Sequence, residues 1–195
     1  MSSLALLLLR LVMGGLLAGH GAQKLFGKFG GRGPEGTGRY LETLGLRPGH
    51  DWALVAGASE LGGGALTALG FLSPLGPIVA MAPMITAWRK AHWGKPIWVT
   101  QGGAELPLTN LAIAGALALT GPGAISADRI LGTRPPWWLV ALGIAGTAAG
   151  VGVALRREIH EAAEKIRVRE AAAAAAAADE QIEAADIVPE EVAHS

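Results

Sequence analysis

Ionisable residues set inside long apolar stretches constrain this chain more than any other feature. A charge near the middle of a hydrocarbon layer is costly, so such residues face a protein interior or a wet cavity, and they mark functional sites by default. The first stretch, from Leu4 to about Leu25, carries Arg10, His20 and Lys24. The second, from Trp52 to Leu72, carries Glu60 near its centre, and the third, about Leu75 to Trp88, is interrupted by Pro83. A fourth spans Leu106 to Thr120 behind Glu105, and a fifth spans Trp137 to Leu155. A helix needs roughly 20 apolar residues to cross the hydrocarbon core, so the first, second and fifth suffice alone and the third and fourth draw on their flanks. The fold expected is an all-α membrane protein. It comprises a four-helix transmembrane bundle over residues 1–132, a fifth transmembrane helix over 133–155 and a charged cytoplasmic tail, helical then disordered, over 156–195.

Composition points the same way. A soluble domain with 51% hydrophobic and 16% charged residues would lack the polar surface it needs, whereas a helical bundle with lipid as its partner needs little. The absence of cysteine excludes disulfides, thiolate metal sites, iron-sulfur clusters and a CxxC electron relay within this chain. Any redox chemistry here relies on something bound, and bound without a covalent link. No metal-ligand cluster and no nucleophile paired with a base stands out, so no metal is expected and catalytic residues stay unassigned.

The net charge of zero conceals an asymmetry. Up to Leu155 there are 11 Lys and Arg against 6 Asp and Glu, and from Arg156 onward 5 against 10. An acidic tail argues against nucleic acid as a partner. The first stretch has no positive n-region and no A-x-A cleavage site, and so reads as a retained helix rather than a signal peptide. Lys28, Arg32, Arg39 and Arg47 follow it, Arg89, Lys90 and Lys95 follow the third stretch, and Arg156-Arg157 follow the fifth. Under the positive-inside rule these segments lie in the cytoplasm and the amino terminus lies outside.

Gly31-Arg32-Gly33-Pro34-Glu35-Gly36 fits the dinucleotide pattern G-x-G-x-x-G in form alone. No strand precedes it and Pro34 sits inside it, so it reads as a flexible loop. Beyond it, Tyr40, Leu41 and Leu44 fall on one side of a short interfacial helix ended by Gly45 and Pro48.

At 100° per residue, Arg10, Gly14, Leu17, His20, Gly21 and Lys24 share an arc of about 120° directed at other helices. In the second stretch Ala53, Gly57, Glu60, Gly64 and Ala68 make a small-residue seam with a carboxylate in it. Glu60 in that seam is an ion-pair partner of Arg10, His20 or Lys24, a binding or proton-relay group, or a protonated hydrogen-bonded acid. His92, in Arg89-Lys90-Ala91-His92-Trp93, reads first as part of an aromatic-basic interfacial anchor. As a haem pair His20 and His92 are disfavoured, since they lie on unlike elements. Asn110 is read as bonding a neighbouring helix. Gly146 and Gly150 have G-x-x-x-G spacing, suited to packing on the bundle or on a second copy of the chain.

Arg10, then His20-Gly21-x-x-Lys24-Leu25-Phe26-Gly27, Glu60 with Gly62-Gly63-Gly64, and His92 form a pattern with two later motifs. Those are Gly102-Gly103-Ala104-Glu105 and Gly121-Pro122-Gly123-x-x-Ser126-x-Asp128-Arg129. Together, over about residues 4–132, they resemble the DoxX family of small bacterial membrane proteins. The resemblance implies a four-helix bundle in the bacterial cytoplasmic membrane and a link to redox metabolism. Relatives are membrane subunits of thiosulfate:quinone oxidoreductase or partners of thiol-oxidant defence proteins. A soluble oxidoreductase or sulfurtransferase-type partner and a quinone are therefore implied. The chain departs from the family pattern in its fifth stretch, its tail and Ile125, where relatives often carry an aromatic residue. Two readings follow. In one, an accessory redox subunit, His20 or Lys24 donates to a quinone oxygen and Glu60 or Glu105 relays its proton, with His92 and Arg10 as further candidates. In the other, a scaffold or small-solute binder, the same charges fix helix register. The first is favoured.

Overall fold

The computed structural model describes residues 2–186, all-helical and without a strand among them. Helix α1 runs from Ser3 to Phe26, starting where the Ser2 hydroxyl accepts from the Ala5 amide and ending where Gly27 takes a left-handed turn. Helices α2 (Gly33–Thr43), α3 (Gly49–Leu69) and α4 (Leu75–Ala87) follow. A π-helical turn at Trp88–His92 extends α4, and a short 3-10 turn at Val99–Gln101 precedes α5 (Glu105–Thr120). Then come α6 (Ala127–Leu131), α7 (Trp137–Ala154) and α8 (Arg156–Asp186). The chain divides into two compact units, Met1–Leu155 and Arg156–Ser195.

Within the first unit α1 packs on α3, α3 on α4, and α4 on both α5 and α7, while α2 lies against α3. Leu6, Met13, Leu17, Ala80, Met84, Ala114 and Leu117 form the core between α1, α4 and α5. The α1–α3 contact is set by glycine. A Cβ on Gly14 would stand 2.6 Å from the Gly64 carbonyl oxygen, and one on Gly64 would stand 2.5 Å from the Ala18 amide nitrogen. Both distances are far inside van der Waals contact, so the two backbones touch as only glycine permits. Gly21 meets Gly57 one heptad away in the same manner, which makes the two helices antiparallel. The small-residue seam read from the sequence is this interface.

Several sequence expectations change. Residues 33–36 are not loop: α2 begins at Gly33, with Pro34 in the first turn, where its fixed φ and missing N–H suit a helix start. Pro83 does not interrupt α4, because the neighbouring helices hold the turn together. Among the described residues two helices, α1 and α7, are long and apolar enough to cross a membrane. Helix α3 has 21 residues, but its glycines and polar side chains dilute its apolar character. The tail is helical beyond Asp179, through Asp186, since Gln181, Glu183 and the alanines are good helix formers. The expected disorder of 187–195 lies outside the described residues.

The seam makes an energetic prediction. Gly64→Ala is expected to lose about 1 to 3 kcal/mol of stability by overpacking, whereas Gly15→Ala, where a Cβ meets nothing within 4 Å, leaves stability unchanged or slightly raised. Thermal unfolding in detergent of the two variants beside the parent checks the contrast.

Candidate functional site

The close approach of α1 and α3 carries Lys24 onto Glu60. Lys24 sits in the last turn of α1, and the Lys24 Nζ donates to Glu60 Oε2 in a short ion pair. The Glu60 side chain is 4% exposed and the Lys24 side chain 25%, so the carboxylate is interior and the ammonium reaches toward an opening. That opening is a cleft of about 430 Å³ bounded by α2, α3, α4 and α7, a size within the range of small-molecule sites. Trp52, Val55, Val79, Ala82 and Leu41 give it mostly apolar walls; Lys24, Glu60, Ser59, Thr86, Lys90 and His92 bring polar groups to it. Pro83, also in its wall, has no N–H to bond the Val79 carbonyl.

A second charged cluster forms at the opposite end of α1. Arg10 is 2% exposed, and its Nη2 donates to the Ile125 carbonyl in the segment before α6. Asp128, on α6, accepts from the amides of Leu72 and Ser73 at 2.8 Å each and from the Thr133 hydroxyl at 2.6 Å. Its own amide donates to the Gly70 carbonyl at 3.1 Å. Gly70, with φ of +63°, ends α3, and a Cβ there would strike the Arg10 guanidinium. These bonds clasp the α3–α4 turn to α1 and α6. The Gly121 to Arg129 motif is thus accounted for as a structural clasp.

The six candidates taken from the sequence therefore part company. Lys24 and Glu60 meet, and His92 joins them in the wall of the same cleft. Arg10, one of three expected partners for Glu60, bonds instead to the α6 segment. His20, expected to face other helices, is exposed, with Nδ1 2.9 Å from Gln23 Oε1. Its position at the edge of the polar arc explains this, because close glycine packing leaves no room there for a ring. Glu105 lies outside the cleft wall, and its Oε2 accepts from the Val99 amide at 2.9 Å. His92 Nδ1 lies 2.7 Å from the Gly102 carbonyl, and these two contacts tie the 93–104 loop down at both ends. Arg89 stacks 4.6 Å above the Trp93 ring. Asn110 Nδ2 donates to Met84 Sδ at 3.6 Å across α5 and α4.

Sequence reasoning missed Trp52, Ser59 and Thr86 as site residues. Their spacing carries no charge signal, and only folding brings them beside Glu60. Among the described residues no group of three or more His, Asp or Glu side chains is placed to hold a metal.

The ion pair predicts a pattern of coupled stability. Glu60→Gln leaves the Lys24 ammonium facing a neutral amide and Lys24→Met leaves a buried carboxylate, so each is expected to cost up to about 3 to 5 kcal/mol. The Lys24→Met/Glu60→Leu double variant should recover much of that loss, and a double-mutant cycle by thermal unfolding measures the coupling.

Residues 5–93 match the family model of DoxX. The match covers α1 to α4 and the π-helical turn, and with them Lys24, Glu60 and His92. The motifs at 102–105 and 121–129, as well as α5 and α7, lie beyond the matched residues. No curated protein and no solved structure matches the chain at a significant level.

Proposed function

Starting from the DoxX membrane-protein domain at residues 5–93, we propose that this chain is the quinone-binding accessory subunit of a membrane redox complex. The observation that carries the reading is the mostly apolar cleft with the Lys24–Glu60 pair in its wall, the carboxylate buried and the ammonium partly open. The residues fit a quinone head: Lys24 is a cationic donor for a ring oxygen, Ser59 and Thr86 add hydroxyls, and Trp52 is an aromatic face to lie against. A quinone held there would supply a two-electron, two-proton acceptor. No cysteine relay within the chain can deliver the electrons, and the proposed donor is a partner, a soluble oxidoreductase or a sulfurtransferase-type protein. Lys24 would donate its hydrogen bond, and then a proton, to the ring oxygen that gains charge, and Glu60, the acceptor of its ammonium, would take up a proton from the mouth of the cleft and return one to Lys24. His92 stands at the polar margin of the same cleft and supplies a second proton-exchanging group.

The proposed setting is the bacterial cytoplasmic membrane, crossed several times. The basic connections around α2 and after α4 face the cytoplasm, and so does the tail, with the amino terminus outside. On this arrangement the polar end of the cleft, near Lys90 and His92, opens toward the side where a soluble partner docks.

A second reading has an observation in its favour. Lys24 and Glu60 satisfy each other, so a purely structural pair in a scaffold needs no ligand at all. Purification separates the two. The subunit reading expects quinone in an organic extract of the purified protein and loss of quinone-linked electron transfer by about 10² to 10⁴-fold in Glu60→Gln, assayed below the lowered unfolding temperature that loss of the ion pair gives this variant. A ligand-free wild-type protein with no oxidoreductase attached supports the scaffold. For orientation, a cytoplasm-active reporter fused after Ser195 should be active, and activity of a periplasm-only reporter there overturns the assignment.

A further inference from the structure

The cleft has one wall that the DoxX match does not include. Gly143, Gly146, Thr147 and Gly150 line it from α7, well beyond residue 93. Helix α7 packs on α4, where the Thr147 hydroxyl donates to the Ile78 carbonyl at 3.3 Å and Gly143 lies against Leu75. It therefore runs in the same direction as α4. Beside these contacts, on a neighbouring side of the helix, there is room: a Cβ on Gly146 or on Gly150 would meet nothing within 4 Å. The glycines at this G-x-x-x-G spacing are thus not closed against another helix within the chain. They border free space that continues to the Lys24–Glu60 pair.

The walls of that space are unevenly polar: Lys24, Glu60, Lys90 and His92 bring charged or titratable groups to it, while Val79, Ala82, Gly143 and Gly146 are apolar. The cleft also reaches the outer surface sideways. Val55, one of its wall residues, is 54% exposed on the flank of α3, and Gly146 is exposed on α7. Helix α7 itself is apolar and almost wholly exposed, as suits a helix bathed in lipid. An opening on such a flank faces hydrocarbon rather than water.

Building on the quinone reading, we propose that α7 completes a tail channel. The ligand is a lipid-soluble molecule with a hydrogen-bonding head and a flexible apolar tail, and it enters from the bilayer between α3 and α7. Its head rests at Lys24 and Glu60, and its tail lies along Gly146 and Gly150. The two glycines set the width of the channel. A larger side chain at either position has room to stand without disturbing the fold, and it stands where the tail would lie.

The test uses the full-length protein in nanodiscs and two probes, a decyl-tailed benzoquinone and its tail-less dimethoxy counterpart. Quenching of tryptophan fluorescence, with Trp52 in the cleft wall, reports binding. Gly146→Leu and Gly150→Leu are expected to lose about tenfold or more in affinity for the tailed probe and to hold the tail-less one within about twofold. Gly152→Leu, whose Cβ also meets nothing within 4 Å but which is not in the wall, should bind both probes as the parent does. Tailed-probe affinity that survives Gly146→Leu overturns the channel while leaving the quinone reading in place. Equal loss in Gly152→Leu does the same. Failure of the parent to bind either probe removes the quinone reading and the channel with it. A shift from dimer to monomer in Gly146→Leu with probe affinity unchanged assigns the glycines to self-association and overturns the channel.

Discussion

The backbone-to-backbone contact of α1 with α3 is the constraint on which the rest depends. Gly14, Gly21, Gly57 and Gly64 let two helices approach as closely as their main chains allow, and that spacing alone brings Lys24 within bonding distance of Glu60. A side chain at any of the four would push the helices apart and leave a carboxylate buried without its cation. Packing and electrostatics are thus one device: the glycines set the distance and the ion pair uses it. The same seam fixes α3 so that its other side receives α4, where a Cβ on Gly63 would stand 3.0 Å from both the Gly76 carbonyl oxygen and the Ala80 amide nitrogen.

Two charged groups on one helix serve different ends of the molecule. Lys24 is partly open and paired beside a cleft of ligand size, whereas Arg10 is sealed into a clasp with the α6 segment and Asp128. Burial separates the roles. A cation that can reach an opening is able to exchange its partner for a ligand oxygen. One held by a backbone carbonyl at 2% exposure holds loops in place. The ligand-sized cleft thus lies at the end of the bundle with the basic connections, and the loop clasp at the other.

Much of this was legible from residues alone. The five apolar stretches, the small-residue seam and the interior place of Glu60 follow from periodicity and composition, and α1, α3, α4, α5 and α7 fall within a few residues of where those signals place them. The choice among Arg10, His20 and Lys24 as partner of Glu60 was not legible. An arc of 120° holds all three, and only the level at which Gly21 meets Gly57 selects Lys24. His20 fell to the surface for the same reason. The helical start at Gly33 was hidden by a glycine-rich composition that reads as loop until Pro34 is seen as a first-turn residue. The cleft was invisible in the sequence because its walls come from four separated helices and most of its residues are ordinary apolar ones. Gly146 and Gly150 look like a packing motif, and only the open space beside them shows otherwise.

The account stands on a lipid-soluble ligand seated between Lys24 and α7. Photolabelling of the membrane-embedded full-length protein with an azido-substituted quinone, followed by peptide mapping, measures this directly. Label should be saturable, should fall within Trp52–Glu60 and Val79–His92, and should be displaced by unlabelled quinone. Label that is not saturable, or that spreads along the lipid-exposed side of α1 at Leu4, Leu8 and Val12, would contradict the account.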